Sequence, residues 1–132
     1  MFGRLTQAAA TALVVAAASG SAVNPAAAQQ DKAAGQLAFN NACRTCHTVK
    51  EGDNRLGPSL HGVVGREAGS LKGFGFSEAM KQSGIVWDEA KLDAFMANPE
   101  AVVPGNSMKP FGGVGDPEER KSIIAYLAQS GR

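Results

Sequence analysis

The stretch Cys43-Arg44-Thr45-Cys46-His47 decides how this chain is read. Its cysteines are the only two in the sequence, they stand three positions apart, and a histidine follows the second. On a helical turn, residues three apart share a face, so both thiols can reach one object while the imidazole lies alongside it. A structural disulfide between Cys43 and Cys46 is one use of such a cluster, if the compartment is oxidising. A thioredoxin-like redox pair wants a βαβ setting, and no strand of convincing length is legible here. Zinc needs two further ligands at matching spacing, and the only other histidine is His61.

The remaining use is covalent haem attachment, for which C-x-x-C-H is the signature. Two thiols on one face can bond the two vinyl groups along one porphyrin edge, and His47 then lies beneath the iron as its proximal ligand. An electron-carrying iron also needs a ligand on its other side. Met80, Met96, Met108, His61 and several lysines are candidates. Met96 belongs to the apolar face of a helical pattern, where a methionine usually packs in the core. Met80 lies in a short helical stretch. Met108 stands in Pro104-Gly105-Asn106-Ser107-Met108, where proline and glycine can turn the backbone and present a side chain inward; its local setting favours it.

Ahead of the motif lies what reads as an export signal over residues 1–28. Arg4 gives a positive start, Ala8 to Ala18 is apolar apart from Thr11, and Ala26-Ala27-Ala28 offers small residues for cleavage. The apolar run is too short to cross a bilayer, which takes roughly 20 residues. The domain expected is therefore 29–132, exported to the periplasm, with no stable membrane insertion after cleavage. Over those residues 12 Lys and Arg face 12 Asp and Glu, since Arg4 alone of the 13 basic residues falls in the signal. A formally neutral domain argues against nucleic acid as a partner, which favours a basic stripe.

The periodic segments are helical, so the fold class is all-α. Asp31 is a candidate cap for a helix through Lys32 to about Arg44, with Leu37, Ala38 and Phe39 making apolar contacts. Thr48 to Gly75 is glycine-rich and reads as loop. Ser77 caps a short helix ending before Gly84. Asp88 caps another carrying Leu92, Phe95 and Met96 inward, and Asn98-Pro99 ends it. Glu100 to Gly115 reads as a second loop. Asp116, Pro117 and Glu119 form a capping-box start for a helix with Ile123, Ile124, Tyr126 and Leu127 on its apolar face. Loops this long in a small domain need something inside to organise them, and a large apolar cofactor serves.

Residues 35 to 130 resemble the class I cytochromes c, the family of mitochondrial cytochrome c and its soluble bacterial relatives. The likeness runs through Gly35, Phe39, Cys43 to Val49, Gly57-Pro58-Ser59-Leu60-His61-Gly62, Gly65-Arg66, Gly69, Gly73-Phe74 and Trp87. It continues in Asn98-Pro99, Pro104-Gly105, Met108 and Ile124-Ala125-Tyr126-Leu127. The resemblance implies terminal helices crossing at Gly35, with Phe39 and Tyr126 beside the crossing, and one haem c held through Cys43 and Cys46. It implies His47 and Met108 as axial ligands of the iron, and the Pro58 carbonyl as acceptor for the other ring nitrogen of His47. Arg66 and Trp87 would stand near the haem propionates, and His61 would be structural.

Such a protein shuttles single electrons between redox protein partners of a respiratory or photosynthetic chain, is not an enzyme, and is monomeric by default. Met/His ligation raises the haem potential and leaves no open position on the iron. The alternative is a haem subunit of a redox enzyme with a displaceable axial ligand. The chain also departs from the family. Phe76 and Phe95 stand where relatives carry tyrosines, Met80 where they carry asparagine, and the lysine ring around the haem edge is thinned to Arg44, Lys50, Arg55, Lys72 and Lys109.

Overall fold

The computed structural model describes Gly3 and residues 20–132. Arg4 and the apolar run Ala8 to Ala18 of the expected signal lie outside the described residues. Helix α1 spans Pro25–Ala42, α2 Glu78–Lys81, α3 Glu89–Ala97, α4 Pro99–Val102 and α5 Pro117–Gln129. Among the described residues there are no strands beyond one isolated antiparallel bridge between Glu67 and Val86.

Helix α1 starts earlier than Asp31. Asn24 is the N-cap, its side-chain oxygen accepting the Ala26 N–H at 3.1 Å, and Pro25 takes the first helical position. Proline at N1 gives up a donor that had no partner there, and the alanines after it have the highest helix propensity. A helix once nucleated at Pro25 runs through Asp31 without needing a second start. Residues 25–34 are exposed throughout, and burial begins at Gly35. Leu37, expected to pack, is 61 % exposed; the packed face runs instead through Gly35, Ala38, Phe39 and Ala42.

The caps of α2, α3 and α5 lie where their residues predict. The Ser77 hydroxyl accepts the Met80 N–H at 3.2 Å, and the Asp88 carboxylate accepts the Lys91 N–H at 2.7 Å. At α5 the Asp116 carboxylate accepts the Glu118 N–H at 2.9 Å, with Pro117 again at the first position; the reciprocal Glu119 bond of the expected capping box is not formed, since the cap is made one residue earlier. Asn98 ends α3 in extended conformation and then starts α4, its side chain accepting the Ala101 N–H at 3.3 Å. The stretch after Pro99, expected as loop, thus opens with one helical turn, because asparagine followed by proline both stops one helix and caps the next.

Helices α1 and α5 make the principal helix pair. A Cβ on Gly35 would sit 2.6 Å from the Ser122 carbonyl oxygen and 2.8 Å from the Tyr126 Cβ. Glycine is therefore what lets the two backbones approach. The rings of Phe39 and Tyr126 meet beside the crossing at 5.4 Å between centroids. Ile123, Ile124 and Leu127 of α5 join Leu92, Phe95 and Met96 of α3 in one core. Arg120 ties α5 to α3 through Asp93 Oδ1 at 2.7 Å, and donates to the carbonyls of Val114 and Gly115 at 2.9 and 3.1 Å. The end of α5 closes on the loop after the motif. Gly62 donates its N–H to the Ser130 carbonyl at 2.7 Å, and the Ser130 hydroxyl lies 3.3 Å from the Leu60 carbonyl.

Gly35→Ala gains roughly 1 kcal/mol of intrinsic helix propensity but forces a methyl against a backbone carbonyl that cannot turn aside. Overpacking costs about 1–3 kcal/mol, so a net loss of stability is expected. Denaturant titration checks it, and an unchanged or raised midpoint would contradict the close crossing.

Candidate functional site

Cys43 is the C-cap of α1, and its N–H bonds the Phe39 carbonyl at 2.8 Å. The chain then makes another turn: the Cys46 and His47 N–H groups reach the Cys43 carbonyl at 3.1 and 2.9 Å. The motif therefore lies on a helical turn, as its spacing predicts. Both cysteines are free, Cys43 buried and Cys46 half-buried. Burial, followed by the nearby Glu119 and Cys46, pushes the Cys43 thiol up to about 11. Among the described residues, no group of three or more His, Cys, Asp and Glu comes together that could hold a metal ion. The zinc reading thus has no ligand set.

His47 is only 6 % exposed. Its Nδ1 lies 2.8 Å from the Pro58 carbonyl oxygen. A carbonyl only accepts, so Nδ1 carries the proton and Nε2 keeps its lone pair. Burial holds the imidazole below its usual pKa; the Pro58 bond works against that and the Arg66 charge reinforces it. A neutral ring with Nε2 free to donate electrons is the form a metal requires. Gly57 fits against the ring: a Cβ there would lie 2.7 Å from Nδ1 and 2.8 Å from Nε2. The loop carrying Gly57 and Pro58 is itself closed. Gly57 N–H bonds the Cys46 carbonyl at 2.8 Å, Ser59 Oγ donates to the Lys50 carbonyl at 2.6 Å, and Thr48 Oγ1 to the Asp53 carbonyl at 2.9 Å.

Arg66 and Trp87 are brought together by backbone pairing beside the isolated bridge. Trp87 N–H bonds the Arg66 carbonyl at 2.9 Å, and Gly65 N–H bonds the Trp87 carbonyl at 2.6 Å. The Arg66 guanidinium donates to the carbonyls of Ser59 and His61 at 3.0 and 3.3 Å, and burial lowers its pKa. Trp87 packs edge-on against Phe95 at 5.1 Å, and Phe74 against Phe76 at 4.9 Å. Of these, Trp87 and Phe95 are buried in the core, while Phe74, Phe76 and Arg66 are half-buried.

Met108 is half-buried. Its N–H bonds Asn106 Oδ1 at 2.9 Å. Met96 is buried in the core, as its helical position predicts, and Met80 is half-buried behind Ser77. Asn106, which the sequence marks only as a loop residue, is 3 % exposed and fully hydrogen-bonded. Asparagine is so common in turns that nothing local distinguishes a buried one. The donor set fits a haem: paired thiols on one turn, an imidazole fixed in its metal-binding tautomer, and thioether sulfur elsewhere in the fold. This is soft and imidazole chemistry rather than the oxygen-rich chemistry of hard cations.

A family model described as cytochrome c oxidase, cbb3-type, subunit III matches residues 30–127. A cytochrome c2 iso-2 of Magnetospirillum molischianum is 47 % identical over 85 residues, covering 64 % of this chain and 87 % of the relative. A cytochrome c of Gibberella zeae is 43 % identical over 93 residues, covering 70 % of this chain and 87 % of the relative. Among solved structures, cytochrome cH from Methylobacterium extorquens superposes with a TM-score of 0.67 at 46 % identity, over 74 % of this chain and 96 % of the other.

Gly57→Ala would push a methyl into the His47 ring. Lower recovery of cofactor-loaded protein is expected, with the loaded fraction losing about 1–3 kcal/mol of unfolding free energy. Normal loading and an unshifted denaturant midpoint would contradict this packing.

Proposed function

Because the chain belongs to the class I c-type cytochromes, electron carriers with one covalent haem c, we propose that it is a single-electron shuttle with His47 and Met108 as axial ligands. In this reading Cys43 and Cys46 hold the haem through thioethers, and Pro58 fixes the His47 ring. Arg66 and Trp87 support the pocket on the propionate side. The observation that carries the reading is the 2.8 Å bond from His47 Nδ1 to the Pro58 carbonyl, which leaves Nε2 as the ring's only lone pair. When bound, the haem supplies an iron that alternates between two oxidation states. The protein's part is to keep a ligand on each side, so that little rearranges when the electron moves, and to surround the group with apolar rings. A low-dielectric pocket disfavours the more positive oxidation state and raises the potential.

The expected signal over residues 1–28 and the periplasmic address belong to this proposal. They are supported by the exposure of residues 25–28: cleavage after Ala28 would remove the Asn24 cap and the first turn of α1 but no buried surface, and would leave Asp31 near the new start of the helix. No helix among the described residues is long and apolar enough to cross a membrane. The partners proposed are a donor complex and an acceptor oxidase, reductase or reaction centre, met by the monomer through small, short-lived interfaces. The second reading, a haem subunit of a redox enzyme with a displaceable ligand, is favoured by the oxidase subunit named in the family description. Against it, this chain spans 87 % of the cytochrome c2 and 96 % of cytochrome cH. The carrier reading needs nothing beyond that length.

Mass and visible spectra of the exported protein test the proposal. One haem adduct is expected, with a sulfur-to-iron charge-transfer absorption in the ferric form that disappears in Met108→Ala. A colourless product, or a ferric spectrum without that absorption in wild type, would overturn it.

The charge pattern generates a second test. Arg55 is paired with Asp53 at 3.1 Å and Lys109 with Glu100 at 3.5 Å. Of the five cations expected near the haem edge, Arg44, Lys50 and Lys72 remain without a carboxylate partner among the described residues. Steering scales with surface potential, so electron transfer with a partner should slow only mildly with ionic strength. A steep fall in stopped-flow rate would contradict it.

A further inference from the structure

The Met108 loop is held by a carboxylate outside it. Glu100, on α4, accepts the Gly105 N–H through Oε1 at 3.0 Å and one Asn106 Nδ2 hydrogen through Oε2 at 3.2 Å. Lys109 Nζ lies 3.5 Å from the same Oε2. Asn106 passes this hold on. Its second Nδ2 hydrogen goes to the Val103 carbonyl at 2.9 Å, and its Oδ1 takes the Met108 N–H at 2.9 Å. The amide has one workable orientation. Reversed, it would set its oxygen against a carbonyl and a carboxylate, and its NH2 against the Met108 N–H.

We propose that Glu100 is a positioning residue for the distal ligand, clamping the Gly105–Met108 turn through Asn106 so that the Met108 thioether stays presented to the iron. Its hydrogen bonds go to backbone and to a buried amide, and through that amide to the Met108 N–H. The Gly105 N–H above all, and then the Lys109 charge, keep its carboxyl below the usual carboxylate range. It is therefore ionised at neutral pH, and its bonds to Gly105 and Asn106 are charge-assisted. Two further features suit a clamp. Glycine at 105 has φ of +83°, a conformation glycine takes without steric cost, and its N–H is the one Glu100 accepts. And α4 is anchored independently of the loop, through the Asn98 cap and buried Pro99, so Glu100 reaches out from a fixed base. The ion pair with Lys109 also occupies the cation next in sequence to the ligand.

The inference rests on Met108 being the distal ligand, and the experiment separates the two. Ferric holoprotein is titrated with imidazole, which competes for the sixth position, while the sulfur-to-iron absorption reports Met108 directly. Wild type must show that absorption; its absence defeats the ligand assignment itself. If it is present, Glu100→Ala should bind imidazole on the order of tenfold more tightly, as loss of charge-assisted bonds would give. The global denaturation midpoint, followed by far-UV circular dichroism, should hardly move. Unchanged imidazole affinity would overturn the clamp. So would a fall in global stability large enough to account for the whole gain, which would make Glu100 an ordinary stabilising residue. Lys109→Ala should give a much smaller effect, since exposed ion pairs contribute little. If it reproduced the Glu100→Ala result in full, the bonds to Gly105 and Asn106 would carry nothing and the clamp would fail.

Discussion

The imidazole of His47 is fixed from three directions, and the rest of the molecule is arranged to keep it so. The Pro58 carbonyl receives its Nδ1 proton, Gly57 lies flat against the ring, and its own backbone is bonded to the turn of Cys43. Those contacts depend on a loop with few apolar side chains to hold it. Ser59, Thr48 and Asn54 close it with side-chain hydrogen bonds. Arg66 crosses beneath and donates to the Ser59 and His61 carbonyls. A loop built this way spends polar groups where a larger protein would use core, in keeping with a domain whose interior is to be filled by a cofactor.

The two sides of the site are held by different physics. The His47 side is tied to the crossing of α1 and α5, where a glycine allows backbone contact and Phe39, Ile123 and Leu127 are buried. The Met108 side hangs from the short helix α4 and from a single buried amide. Local opening follows the density of buried apolar contacts. Under the proposed ligation, the His47 side rests on the apolar core and the Met108 side on a small set of polar contacts.

The five-residue motif, the caps at Ser77, Asp88 and Asp116, and the core positions Leu92, Phe95, Met96, Ile123 and Ile124 are legible in the sequence. Each depends on neighbours within one or two turns. The start of α1 is ambiguous in sequence because two cap signals, Asn24-Pro25 and Asp31, lie close together. Leu37 lies outside the packed face because helical spacing gives a face but not where its edge falls. The turn at α4 is hidden because Asn98-Pro99 is a stop signal as well as a cap. The link from Glu100 through Asn106 to Met108 had no local signature. A glutamate after proline reads as a surface charge, and its partners at Gly105 and Asn106 are found only once the chain has turned back. Pro58 and Arg66 are legible only through family likeness: a carbonyl acceptor leaves no mark in composition, and a lone arginine in a loop reads as a surface charge.

The seal between Ser130 and the Leu60–Gly62 segment has a consequence for the order of assembly. The loop that supports His47 receives its last hydrogen bonds from residues synthesised at the far end of the chain. In the closed fold Cys43 is buried and Cys46 half-buried. Bond formation at the Cys43 thiol is therefore favoured before the C-terminal helix docks, with the Ser130 bonds closing last.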